Sequence, residues 1–368
     1  MKQKIYLDNN ASTPVDPRVL EAMTSYLKNS YGNPSSQHAF GRSARAALTA
    51  SRDVIANFLG VKSKEIVFTS GGTEGLNIIL QGLPTPGRII TSDVEHAAVF
   101  ETLKALEKRG FQITYLKAGP HGAILPEAVQ AAITPDTKLI ALMAVNNETG
   151  VKTDIETIAS IALRAGVPFL VDAIAQLGKE PIRVFEGISA MCFSGQKIHA
   201  PMGTGFAFIS SGFKLKPLLF GGEQENSRRS GTENVPGIIA LAEAVKLLNQ
   251  EMSVTVPKMR ELRDKLEKSL KMQIPEIEIN GEGPRICNTS NMSFPSVEGE
   301  TLLAALDLAG IAVSHGSACA SGALEPSRVL VNMGYPKNRV RSAIRFSLSR
   351  FTTEQDIDDC IKAVLGCI

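Results

Sequence analysis

VPFLVDAIAQLGKEPIRVFEGISAMCFSGQKIHAPMGTGFAFIS, residues 167–210, is the stretch that decides the fold. It opens with a short apolar run, 167–171, preceded by Gly166 and closed by Asp172. A run this short and this continuously apolar reads as a buried parallel strand, covered on both faces. A second run, 188–193, ends in Ser194-Gly195-Gln196-Lys197, and a third, 205–209, follows a Gly/Pro turn. Ligands of open α/β sheets bind at the carboxyl ends of the strands, where Asp172 and Lys197 both fall. An amine and a carboxylate so placed suit pyridoxal phosphate. The amine takes its aldehyde, and the carboxylate keeps the ring nitrogen protonated so that the ring can accept electrons. A strand ending in Asp and a lysine beyond a strand are each common, so the assignment draws on the rest of the chain.

The chain has 368 residues, enough for two lobes rather than one core. A formal net charge of +2 gives no electrostatic case for nucleic acid or a membrane surface. Apolar runs such as 139–145 are too short to span a bilayer. The amino terminus, MKQKIYLDNN, lacks the apolar core of a signal peptide, so a cytoplasmic enzyme is expected. Of the cysteines, Cys192, Cys287, Cys319, Cys360 and Cys367, none forms a CxxC pair. Their odd number argues against a disulfide framework, and no metal site is expected. Cys192 reads as core, whereas Cys319 lies in HGSACASG, a small-residue stretch that reads as a loop.

The remaining pattern is an alternation of short strands and helices. A strand is expected at 4–8, turn-formers at 9–14, and a helical face from Val19, Leu20, Met23 and Leu27. A polar loop, YGNPSSQH, precedes a helix over 41–59 that Gly60 closes. The strand 65–69 then runs into Ser70-Gly71-Gly72-Thr73 and a helix. Strand, glycine turn and helix start form the layout that cradles phosphate on backbone N–H groups. It is neither a Walker A motif nor a dinucleotide fingerprint. Strands at 88–91, 112–116 and 139–145 alternate with helices, which implies a mainly parallel sheet with helices on both faces. Residues 236–271 read as long helices broken near Pro257. Beyond them a smaller α+β unit is expected, with strands near 276–280, 289–294 and 342–347 and helices at 299–309 and 353–365.

With these positions laid out, the chain resembles the cysteine desulfurases of the class V aminotransferase family. The resembling stretches, in order, are YLDNNASTPVDP, YGNPSSQH, EIVFTSGGTE, TSDVEHAAV, VNNETG, VDA, FSGQKIH, RRSGTEN, SFPSVEGE, HGSACASGALEPS and IRFSLSRFT. The SAC form of the loop is similar to the group I branch. The resemblance implies the fold of that family, pyridoxal phosphate fold type I. Its large domain carries a mainly parallel seven-stranded sheet and would span 15–250. Its small α+β domain would comprise 1–14 and 251–368 and carry the Cys319 loop.

The resemblance also implies roles. Lys197 would hold pyridoxal phosphate and shuttle protons, and Asp172 would pair with its ring nitrogen. Gly72, Thr73 and Ser194 would bind the phosphate, with Gln196 beside them and Thr232 reaching in from the other subunit of a homodimer. His96 would stack on the ring and serve in acid–base steps. Asn147 would sit by the ring hydroxyl and the substrate, Arg345 would grip the substrate carboxylate, and Asn33 would border it. Cys319 would attack the sulfur of L-cysteine and carry it as a persulfide, with L-alanine as product. The sulfur would then pass to an acceptor or iron–sulfur scaffold protein.

The chain departs from the family pattern at several positions. Ala175 stands three residues after Asp172, where the family has Gln, and Gln196 stands where it has His. Glu223 and Gly75-Leu76 are smaller departures. The sequence ends at Ile368, where housekeeping members carry a further tail that docks the scaffold protein; docking through such a tail is not expected. Two other readings follow from these residues. One is a selenocysteine lyase or another β-eliminating enzyme with the same cofactor, for which Cys319 would be dispensable. The other is a paralogue acting as a binding protein, which only Ala175 and Gln196 support.

Overall fold

A computed structural model describes residues 4–316 and 326–368. Strand β1 (Ile5–Tyr6) is followed by helices α1 (Pro17–Asn29) and α2 (Ala39–Leu59). Asp16 caps α1 by accepting from the Arg18 N–H, with Pro17 at the first helical position. Gly60 ends α2 at φ 68°, the left-handed conformation that glycine adopts without strain. Then come β2 (Ile66–Thr69), α3 (Gly72–Gln81), β3 (Arg88–Ser92), α4 (Ala97–Glu107), β4 (Gln112–Leu116) and α5 (Pro126–Ala132). They are followed by β5 (Thr137–Met143), α6 (Ile155–Ala165), β6 (Phe169–Asp172), β7 (Ile188–Ser194) and β8 (Gly205–Ile209).

These strands form one seven-stranded sheet in the order β2-β8-β7-β6-β5-β3-β4. From β4 to β7 every pairing is parallel, while β8 runs antiparallel to both β7 and β2. The reversal follows from the short connection between β7 and β8, which leaves no length for a crossover helix. Alternate residues of the central strands feed two separate apolar clusters. Phe169, Val171, Phe193 and Phe206 pack on one face, and Leu170, Ala190, Cys192 and Ala207 on the other. Covered on both sides, the sheet exposes only its strand ends to a ligand.

Helix α7 (Val235–Gln273) runs unbroken through Pro257, where the sequence pattern suggested a break. Proline removes one backbone donor there. Buried Leu247 and Leu248 precede it, and Leu262, Leu266 and Leu270 follow. Packing on both sides outweighs the lost bond. The helix thereby joins the main core to a second one.

The second core is built from β9 (Glu278–Ile279), β10 (Thr289–Ser293), α8 (Gly299–Leu308), β11 (Ile311–Ala312), α9 (Arg328–Asn332), α10 (Lys337–Arg341), β12 (Ala343–Ser347) and α11 (Glu354–Cys367). Strand β10 pairs antiparallel with β12 and β9, and β1 pairs parallel with β11. Leu7, Leu266, Phe294, Phe346 and Ile357 share one apolar cluster, so the first described residues fold with the last. No helix among the described residues is long and apolar enough to cross a membrane.

Candidate active site

A cavity of about 300 Å³ opens at the carboxyl ends of β6 and β7, between the sheet and the residues that follow β1. Asp172 ends β6 and pairs in register with Cys192 of β7. Its Oδ1 accepts from the Ile174 N–H at 3.0 Å. Burial pushes this carboxyl up to about 6, against the pull of that N–H and of Lys197. A buried carboxylate in this state is stabilised by any cation brought into the cavity. Lys197 lies in the turn after β7, and its Nζ donates to the carbonyls of Asn10 at 2.5 Å and Ala11 at 2.7 Å. Those carbonyls belong to a segment pinned onto the smaller core: Asn9 Nδ2 donates to Ser347 O, and Asn10 Nδ2 to Thr289 Oγ1.

The phosphate-type turn is built by two glycines used for different reasons. Gly71 sits at φ 155°, ψ −176°, a region essentially reserved for glycine. At Gly72 a Cβ would lie 2.0 Å from Ile174 Cδ1, so any larger residue there would require the Ile174 side chain to move. Glu74 folds back to accept from the Ser70 N–H at 2.7 Å and pairs with Arg229 at 2.7 Å, which holds the turn from outside. Gly72, Thr73, Ser194 and Gln196 all line the cavity, and Ser194 Oγ donates to Gln196 Oε1 at 2.6 Å. Helix-start N–H groups, two hydroxyls and an amide thus converge where an anion would sit.

His96 caps α4, its Nδ1 accepting from the Ala98 N–H at 3.1 Å. That bond needs an unprotonated Nδ1, which places the proton of the neutral ring on Nε2. Burial, with Lys197 and Arg328 nearby, pushes the imidazole down to about 4. Beside it, Glu95 is fully buried. Its Oε1 accepts from Ser92 Oγ at 2.5 Å, and its Oε2 has no partner among the described residues. Burial, with Asp172 adding to it, pushes Glu95 up to about 8. Arg345, on β12, is 2% exposed; it donates to Asp8 Oδ1 at 2.7 Å and to the Asn147 carbonyl at 3.0 Å. Its Nε has no partner among the described residues.

Nine of the residues expected from the sequence therefore line one cavity: Lys197, Asp172, His96, Gly72, Thr73, Ser194, Gln196, Asn147 and Arg345. Asn33 does not. It is exposed, and its Oδ1 accepts from the Ser35 N–H at 2.9 Å. Thr232 is exposed and also lies outside the cavity. Cys319 lies outside the described residues. Ala175 lines the cavity and Gln176 does not, so no one-residue shift restores the expected glutamine.

Sequence reading passed over Asn10, Glu95 and Lys179. Lys179 is buried, its Nζ donates to the Lys197 carbonyl at 2.5 Å, and burial pushes its amine down to about 8. Asn10 and Glu95 lie inside quoted motifs, which was their only signal; Lys179 lies outside all of those motifs. Among the described residues no group of His, Cys, Asp or Glu is arranged to hold a metal ion.

The donor set fits pyridoxal phosphate at three points: an anion cradle, a buried carboxylate for a ring cation, and a primary amine. At a fourth point the methyl group of Ala175 offers no donor for the ring hydroxyl.

The chain is similar to known proteins along nearly its whole length. The sequence pattern described as Aminotransferase class-V matches residues 5–360. A protein of Trichormus azollae named cysteine desulfurase is 44% identical over 366 residues, 98% of this chain and 92% of its own length. The X-ray structure of a NifS-like protein from Rickettsia africae superposes with a TM-score of 0.91 at 34% identity, covering 99% of both chains. A structure described as SspA in complex with cysteine gives 0.84 at 32% identity, covering 95% of this chain and 100% of that one.

Proposed function

The chain belongs to the aminotransferase class-V family, and on that premise we propose that it is a pyridoxal-phosphate-dependent cysteine desulfurase. It converts L-cysteine to L-alanine and passes the sulfur to Cys319 as a persulfide. What carries the reading is the meeting of Lys197 and Asp172 in one cavity with the helix start at Gly72 and Thr73. When bound, pyridoxal phosphate supplies an aldehyde for the substrate amine and a ring that takes up electron density from the α-carbon.

The chain's own groups do the rest. Gly72, Thr73, Ser194 and Gln196 bind the phosphate, and Asp172 supplies the negative charge that keeps a ring cation protonated. Without a donor at Ala175 the cofactor is held less tightly, by about 0.5–1.5 kcal/mol. Lys197 Nζ takes the proton from the substrate α-carbon, and the Asn10 and Ala11 carbonyls orient that nitrogen. His96 is neutral, with its proton on Nε2 available to the reacting groups. Arg345 binds the substrate carboxylate through the N–H that the protein leaves unmatched. The thiolate of Cys319 attacks the substrate sulfur; the S–S bond forms as the C–S bond breaks, and the substrate carbon gains the proton that completes alanine. An acceptor protein then receives the sulfur for iron–sulfur clusters or other sulfur-containing cofactors. In the same reading the large domain spans 15–250, the remainder forms the small domain, and the enzyme works in the cytoplasm as a homodimer with Thr232 serving the neighbouring site.

The test is Cys319→Ala. The variant should keep the visible absorbance of the bound cofactor and its change on adding L-cysteine, yet form no alanine catalytically. Full turnover by the variant would refute sulfur transfer to Cys319. A wild-type protein that stays colourless with added pyridoxal phosphate would refute the cofactor assignment.

A further inference from the structure

We propose that Arg328 is a positioning residue for His96, clamping both the turn that carries the imidazole and the helix that the imidazole caps. This deepens the desulfurase reading and rests on it for what His96 does, though not for how His96 is held.

Arg328 opens α9, far along the chain from His96. Its guanidinium reaches across to the β3–α4 turn, where Nη1 donates to the Asp93 carbonyl at 2.5 Å and Nη2 to the Glu95 carbonyl. One planar fork thus spans the backbone immediately before His96. The same guanidinium lies 4.0 Å from the ring centre of Phe100, in the first turn of α4. His96 is tied to that first turn through the Ala98 N–H. Turn, ring and helix start are therefore held from one point. Asn332, one turn further along α9, adds a bond to the Asp93 carbonyl at 2.6 Å.

The neighbouring residue makes the matching attachment. Ser327 caps α9 by accepting from the Leu330 N–H at 3.1 Å, and its hydroxyl donates to Glu148 Oε2 at 2.5 Å. Glu148 is buried and directly follows Asn147. Two adjacent residues are thus fastened to the two turns that present His96 and Asn147 to the cavity. A lysine at 328 would not reproduce this, because an ammonium has no rigid planar fork to fix the two carbonyls relative to each other and no flat face for Phe100.

The charge matters as well as the shape. The charged groups that act on His96 are Lys197 from the turn after β7 and Arg328 from α9; Glu95, on its own turn, and Asp172, at the end of β6, act on each other. Both cations work with burial to hold the ring neutral, the state that its cap bond requires.

The experiment uses the full chain with Arg328→Gln and Arg328→Lys. The His96 ring signal, assigned by its loss in His96→Gln, is titrated by NMR in cofactor-free protein. Alanine formation is followed in single turnovers of the cofactor-loaded enzyme. Arg328→Gln should raise the His96 midpoint and slow alanine formation about tenfold or more, with KM for L-cysteine held within about twofold. Arg328→Lys should keep the midpoint near that of the wild type but still slow the reaction. A folded Arg328→Gln protein with both readouts unchanged overturns the inference, and so does full speed in Arg328→Lys. If Arg328→Gln does not fold, Arg328→Lys decides alone by the same criterion. If the wild-type protein forms no alanine, the desulfurase reading fails, and the NMR midpoint alone then decides whether Arg328 governs His96.

Discussion

Asp172 has one backbone donor and almost no water, so its ionised form is costly in the cofactor-free protein. Its carboxyl titrates near 6 in the folded chain, against about 3.9 when unfolded. The folded protein therefore binds the extra proton more tightly. The resulting stabilisation is fully present below the unfolded value, near 4, and is lost as the pH rises through the folded value, near 6. Asp172→Asn removes that dependence while keeping an oxygen for the Ile174 N–H. In cofactor-free protein the variant should be more stable than wild type at pH 8, by about 2–3 kcal/mol, and close to it at pH 4. Thermal melts at the two pH values check this; an equal difference at both would mean that Asp172 is not the group being relieved. The same variant should lose most of its cofactor affinity, since the destabilising charge is the one that a ring cation neutralises. Stability and binding are in opposition at this residue, as expected where a site holds a charge ready for its ligand.

Two elements meet closely where β8 starts and the glycine turn passes. A Cβ on Gly205 would lie 2.6 Å from Gly71 Cα and 2.8 Å from the Phe193 carbonyl. Both neighbours are backbone, so neither can swing aside. Gly205→Ala should cost about 1–3 kcal/mol of stability and push the glycine turn off its position, weakening cofactor binding. A melting temperature and a cofactor titration both within error of wild type would show that this contact yields without cost. At the level of elements, the sequence pattern was a good guide wherever the signal is local. The apolar runs before Asp172 and Lys197 and the glycine turn after β2 could all be read from consecutive residues. Features set by distant partners could not. The passage of α7 through Pro257 depends on what packs against either side. Arg328 and Glu95 are more than two hundred residues apart in the chain, and no spacing rule connects them. The turn-formers after β1 gave no hint that their carbonyls would face Lys197.

For the whole molecule, the proposal that a second copy completes the site turns on Thr232. In the single chain it is exposed and lies away from the cavity where the phosphate groups converge. In the proposed homodimer its contribution to cofactor binding would be made at the neighbouring protomer's site. Large apolar side chains left on the surface, Tyr31, Met202 and Phe220 among them, are available to such an interface. The arrangement can be tested by mixing the inactive Lys197→Ala variant with Thr232→Ala, at a cofactor concentration where the latter is mostly unloaded, and re-forming dimers. If each site takes Lys197 from one chain and Thr232 from the other, a hybrid has one doubly impaired site and one intact site. Hybrids should then recover about half of the wild-type activity per dimer, although Lys197→Ala homodimers are inactive. If Thr232 instead acted on its own chain's site, each hybrid site would carry one defect and mixing would restore nothing. A Thr232→Ala protein that binds the cofactor as tightly as wild type would remove Thr232 from the site altogether, leaving the helix start at Gly72 and Thr73, with Ser194 and Gln196, to hold the phosphate alone.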